Sequence, residues 1–103
     1  MRGVRLASRA ELDIAEASEY LDRETGNPEF GNRLVIDLQR VMYLIAENPW
    51  MGRARSDLQK GLRGFPHGSH TLFWRLHGQD VEIIRVLHQR QDVEREFGLT
   101  SLG

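Results

Sequence analysis

The residues with chemistry to offer lie in the second half of the chain. His67, His70 and His88 are interleaved with Arg63, Arg75, Arg85 and Arg90. Metal-free RNA cleavage is the reaction such a set could serve. It needs a general base for the 2′-hydroxyl, an acid for the leaving oxygen, and Arg or Lys against the phosphorane. His70 or His88 could be acid or base, and the four arginines could hold phosphate. The same stretch supplies one lysine, Lys60, and no tyrosine. A strand-end histidine such as His88 is more simply explained by backbone hydrogen bonds. Arginines along strands can equally pair with Asp80 or Glu82 across a sheet.

Other chemistries find less support. There is no cysteine, which excludes disulfides and thiolate zinc sites. The serines lie in caps, turns and the tail, and none forms a Gly-x-Ser-x-Gly elbow. His67 and His70 flank a tight turn without a third ligand, so no metal is expected. Gly61, Gly64 and Gly68 break strands or make a turn and do not form a phosphate-cradling loop. No cofactor is implied. The acids of the first helix read as a solvated face without a catalytic partner.

These side chains must be carried by strands. Residues 61–92 contain three runs rich in branched and aromatic residues, cut by His67-Gly68-Ser69 and Gly78-Gln79-Asp80. That pattern predicts consecutive hairpins. Leu72, Trp74 and Leu76 share one face of the middle strand, with Thr71, Phe73 and Arg75 on the other. In the last strand Val81, Ile83, Arg85 and Leu87 alternate with Glu82, Ile84, Val86 and His88. Arginines inside the runs predict one covered and one available face.

The cover comes from the first half. Val4 and Leu6 around Arg5 predict a brief strand. Ser8 and Glu11 have capping-box spacing. Ala10, Ile14, Ala17 and Leu21 then form one helical stripe, ending at Gly26. Asn27-Pro28 suits an N-cap and first helical position. Phe30, Leu34, Leu38, Val41 and Ile45 make a second stripe, widened by Val35, Met42 and Leu44. This helix ends before Pro49. So short a link predicts an antiparallel helical hairpin packed on the sheet. Trp50 and Leu58 are expected to pin the following loop to the core. Asp92 to Phe97 predicts one helical turn ended by Gly98, and Leu99 to Gly103 a loose tail.

At 103 residues, with 40% hydrophobic and 28% charged content, the chain fits one α+β domain spanning 1–103. No apolar run reaches the roughly 18 residues of a membrane span, and no signal peptide is recognisable, so a cytoplasmic protein without membrane contact is expected. Charge is unevenly spread. Residues 8–29 hold seven acids and two bases, whereas residues 53–90 hold seven bases and three acids. Separated fields suggest a partner of defined sign on each side; a solvated acidic helix beside scattered sheet charges is the plainer account.

The order of elements and several motifs resemble the RelE/ParE superfamily of bacterial toxins, and specifically its ParE branch. The motifs include Ala10, Asp13 and Tyr20, then Asn48-Pro49, Gly52-Arg53, Gly61-Leu62-Arg63 and Gly68-Ser69-His70. Phe73-Trp74-Arg75 stands where the family usually has Phe-Tyr-Arg. Glu82 to His88, followed by Gln89-Arg90-Gln91-Asp92, is the most specific block.

The resemblance implies a type II toxin neutralised by a ParD-like antitoxin. ParE-branch toxins poison DNA gyrase, whereas RelE-branch toxins cut mRNA on the ribosome using strand basic residues and a tail aromatic hydroxyl. Here the key strand arginine of that set falls on Thr71, and the tail tyrosine near Glu96 or Phe97. Only Arg90 matches. The expected mode is therefore gyrase inhibition by protein contact, with no catalytic residues and no direct nucleic-acid binding. An endoribonuclease, or a non-toxic binding module of the same fold, is the alternative. The expected target surface is Arg63, Trp74, Arg75, Arg85, His88 and Arg90. The expected antitoxin groove is Ile14, Leu21, Leu34, Val41 and Ile45, with an added antitoxin strand on the sheet.

Overall fold

A computed structural model describes residues 2–99. The chain order is β1 (Val4–Leu6), α1 (Ser8–Thr25), α2 (Pro28–Glu47), β2 (Arg53–Ala54), β3 (Arg63–His67), β4 (His70–His77), β5 (Asp80–His88) and α3 (Val93–Glu96). The strands form one five-stranded sheet in the order β1-β5-β4-β3-β2. β1 runs parallel to β5, and the other neighbours are antiparallel. The α+β architecture is as the residue pattern predicts. β2 and the parallel placement of β1 are additions to it.

The helical hairpin closes through two residues. Gly26 takes the left-handed conformation (φ 67°) and its N–H bonds Asp22 O at 2.9 Å. Asn27 Oδ1 then accepts the Glu29 N–H at 3.0 Å, with Pro28 opening α2. The expected capping box at Ser8 does not form. Ala7 is the residue before the first helical turn, because its N–H continues the β1 ladder to Ile83 O at 2.9 Å. Strand passes directly into helix, which places Ser8 inside the helix.

Both sheet faces are covered, contrary to the expectation of one open face. Leu38, Val41, Met42 and Ile45 of α2 and Ala10 of α1 pack with Leu72, Trp74, Val81, Ile83 and Val86. Phe73 and Leu87 pack with Leu58 and Leu62 of the β2–β3 loop, joined by Ile84, Val93 and Phe97. Leu58 thus pins its loop as expected. Phe30 and Leu44 of the predicted α2 stripe are exposed, as is Trp50.

A bulge explains why β5 shows no clean alternation. Phe73 faces Arg85 but Trp74 faces Ile83, so Ile84 is an extra residue. Val81, Ile83 and Val86 therefore share the helix-side core, while Ile84 and Leu87 join the other cluster. A bulge of this kind resets the two-residue period of the strand. The expected grouping of Arg85 and Leu87 with Val81 and Ile83 is overturned for that reason.

The expected loose tail falls largely on residues 100–103, outside the described residues. Before it, Asp92 Oδ1 caps α3 by accepting the Arg95 N–H at 3.3 Å, and the Leu99 N–H bonds Glu94 O at 2.8 Å. Among the described residues, no helix is long and apolar enough to cross a membrane.

Candidate functional site: a histidine-walled cleft

A cleft of about 530 Å³ opens where the helical hairpin meets the β3–β4 turn. Glu16, Ala17, Tyr20 and Leu21 of α1 form one wall, and Leu34 and Asp37 of α2 another. The turn contributes His67 to His70, and the end of β5 contributes Val86 and His88, followed by Arg90 and Gln91. The helix-derived lining mixes Ala17, Leu21, Leu34 and the Tyr20 ring with the carboxylates of Asp13, Glu16 and Asp37, whereas the strand-derived lining carries imidazoles and one guanidinium.

The bulge builds the histidine wall. The β4–β5 turn sets His77 opposite Asp80, a register that alone would put Leu87 opposite His70. The extra residue moves His88 there instead. The two rings meet edge to face, with centroids 5.2 Å apart. Burial, with the neighbouring His88 charge second, lowers the His70 pKa from its ordinary value. His88 Nδ1 accepts the Arg90 N–H at 3.0 Å, which leaves the neutral ring's proton on Nε2. His67 Nε2 lies 2.7 Å from Asp37 Oδ2, a contact that ties the turn to α2.

The residues expected at the target surface separate. His88 and Arg90 reach the cleft. Arg63 is clamped by the carbonyls of Trp50, Met51 and Gly52 at 2.9–3.2 Å. Arg75 Nε bonds Glu82 Oε1 at 3.3 Å. Trp74 is 0% exposed and donates its Nε1–H to Pro49 O at 3.0 Å, so it is core and not a docking residue. Arg85 is buried and spends four of its five N–H donors on Asp13 and Glu96.

The expected antitoxin groove also divides. Leu21 and Leu34 line the cleft, while Ile14 packs on the main core. Val41 (3% exposed) and Ile45 (0%) are interior, because they sit on the α2 stripe that meets the sheet. They are corrected to core. The cleft therefore joins two residues from each expected set. Sequence reasoning passed over Glu16, Tyr20, Asp37 and His67 as lining. His70 and His88 are each acid–base candidates from sequence, but their pairing is not legible there, since it depends on the bulge. Asp13 was grouped with the solvated acids but is buried.

The cleft gathers three imidazoles (His67, His70 and His88), the Tyr20 phenol and a single guanidinium, Arg90. A phosphate-cleaving hollow needs converging cations. Of the four arginines weighed from sequence, only Arg90 lines the cleft, and Glu16 and Asp37 face into the same space. Thr71 lies in β4, Glu96 is bonded to Arg85, and Phe97 stacks on Phe73 at 5.2 Å. None supplies a guanidinium or phenol. Among the described residues, no group of three or more His, Asp or Glu is arranged to hold a metal.

Comparison with known proteins shows the family and the fold. The family described as "ParE toxin of type II toxin-antitoxin system, parDE" matches residues 4–93. Toxin ParE1 of Caulobacter vibrioides is 36% identical over 98 residues, covering 95% of this chain and 100% of that protein. Toxin ParE1 of Mycobacterium tuberculosis is 45% identical over 62 residues, covering 59% of this chain and 63% of that protein. A solved structure described as "Chromosomal ParDE TA system from P. aeruginosa" superposes with a TM-score of 0.71 at 18% identity. It covers 85% of this chain and 96% of that one, a likeness of fold.

Proposed function

The chain belongs to the ParE toxin family of type II toxin–antitoxin systems, and from that premise we propose that it inhibits DNA gyrase by protein contact and is neutralised through the cleft. The observation that carries this reading is the cleft's composition. Leu21 and Leu34 offer apolar seating, while His88 and Arg90 stand on the opposite wall. An amphipathic helix of a ParD-like antitoxin suits such a groove, its apolar face on the helices and a carboxylate toward Arg90. The toxin would act in the cytoplasm, where gyrase works.

Strand addition is the weaker part of the expected antitoxin contact. β2 covers only Arg63 and Gly64 of β3, and beyond them Pro66 has no N–H to offer a new strand. The groove is the better anchor.

The direct test is gyrase supercoiling with purified toxin, followed by addition of antitoxin. Inhibition relieved by equimolar antitoxin is expected. Leu21→Glu should weaken antitoxin binding at least about tenfold by placing a carboxylate in the apolar seat. Gyrase that stays active at large toxin excess would defeat the reading.

One observation favours a second reading. The His70–His88 contact brings two imidazoles together, as an RNA-cleaving acid–base pair would require. Translation-dependent mRNA cleavage that vanishes in His88→Ala would establish it and displace the contact mechanism.

A further inference from the structure

The turn between α2 and β2 is built with more bonds than its length requires. Four successive carbonyls, Pro49 to Gly52, are all capped by side chains. Trp74 Nε1 takes Pro49 O at 3.0 Å, and Arg63 takes Trp50 O at 2.9 Å and Met51 O and Gly52 O at 3.2 Å each. Gly52 has φ 76°, and a Cβ there would run into the Gly64 carbonyl oxygen. The backbone is thus fixed from three sides.

What this rigid turn displays is Trp50, 63% exposed. The Arg63 guanidinium lies 6.0 Å from the Trp50 ring centroid, in cation–π range. Arg63 meets only carbonyl oxygens, and no carboxylate lies within salt-bridge distance of it among the described residues. Arg53, exposed on the edge strand β2, is likewise without a salt bridge there. Asp57, the nearest acid in sequence to both arginines, is already bonded to Arg55, and Glu47 lies at the end of α2.

We propose that this Trp50–Arg53–Arg63 turn is a second docking surface, separate from the cleft, that grips an acidic surface of the toxin's target protein. The proposal rests on the reading that the toxin acts by contact. Trp and Arg are the residue types that dominate interface energetics. A Trp held by a fixed backbone loses little freedom on binding. Two guanidinium charges with no salt bridge among the described residues select an acidic complement. Arg63 and His67 occupy opposite ends of β3, about 13 Å apart, so this surface and the cleft can be occupied together.

The test compares wild type with Trp50→Ala and Arg53→Glu. Both side chains are exposed, so unchanged thermal unfolding is expected of each. Growth arrest on induced expression, inhibition of gyrase supercoiling and antitoxin binding by calorimetry are then read. Trp50→Ala should raise the toxin concentration for half-inhibition about tenfold or more. Arg53→Glu should raise it several-fold, while antitoxin affinity stays within about twofold for both.

Undiminished arrest and inhibition by both variants would overturn the proposal. Equal losses of inhibition and antitoxin affinity would also overturn it, by placing Trp50 in the antitoxin interface. If the toxin alone retards linear duplex DNA and Trp50→Ala does not, the partner is nucleic acid and the proposal falls. If wild type arrests growth but spares gyrase, gyrase is the wrong target. The surface itself then stands on loss of arrest in Trp50→Ala with antitoxin binding intact, and falls if arrest persists.

Discussion

Asp13 and Arg85, 72 residues apart in sequence, form a two-pronged ion pair inside the protein. Arg85 donates Nε–H to Asp13 Oδ2 at 2.8 Å and Nη2–H to Oδ1 at 2.9 Å. Asp13 Oδ2 also accepts the Val86 N–H at 2.9 Å. β1 ends opposite Ile83, so this carboxylate takes over an edge N–H that β1 no longer reaches. Arg85 then extends to the side chain and carbonyl of Glu96, fastening α3. The opposite charge fields of the two halves are partly internal, since they meet here.

Asp13→Ala should cost about 3 kcal/mol, because it leaves a buried guanidinium with Glu96 as its one carboxylate and strands the Val86 N–H. Urea unfolding measures this. The Asp13→Ala/Arg85→Met double variant should lose much less than the sum of the singles. Additive losses would show that the pair is not coupled.

His70 should make stability depend on pH. Burial, and then His88, holds its folded-state pKa below the ordinary 6.5. The folded chain therefore binds fewer protons than the unfolded chain as pH falls past that value. This contribution is fully present above pH 6.5 and is lost below it, at no more than about 1.4 kcal/mol per pH unit. Unfolding free energies of wild type and His70→Gln across this window should diverge in slope. Parallel profiles would remove His70 as the cause.

Trp74→Phe should destabilise by about 1–3 kcal/mol. The ring can be replaced in the core, but the Pro49 carbonyl loses its donor. Denaturant midpoints at unchanged m-value are the check.

Gly52→Ala should cost more than about 1 kcal/mol, since the left-handed φ and the Gly64 carbonyl both oppose a Cβ. It should also reduce toxicity by disturbing the Trp50 turn. Thermal melts and growth arrest, measured together, test both effects.

The helical hairpin is legible because a 3.6-residue period leaves a direct trace in residue order, and the meander because its branched and aromatic runs are cut by Gly-containing turns. Gly26, Asn27 and Pro28 marked their turn for stereochemical reasons that hold locally. The bulge at Ile84 was not legible, because one extra residue changes no composition and appears only when two strands are aligned. With it went the faces of Arg85 and Leu87 and the meeting of His70 with His88. Asp13 looked like its exposed neighbours, as helical spacing does not reveal which acid faces a buried cation. Trp50 departs from expectation for the opposite reason: a large apolar residue near a helix end is usually interior, and here Arg63 holds its carbonyl while the ring stays exposed.

Contact inhibition is tested most directly by titrating purified gyrase with toxin in a supercoiling assay and then adding antitoxin. Inhibition should saturate near one toxin per target site and reverse with one equivalent of antitoxin, while RNA in the same mixture stays intact. Full gyrase activity at large toxin excess, or multiple-turnover RNA cleavage by the same preparation, would contradict it.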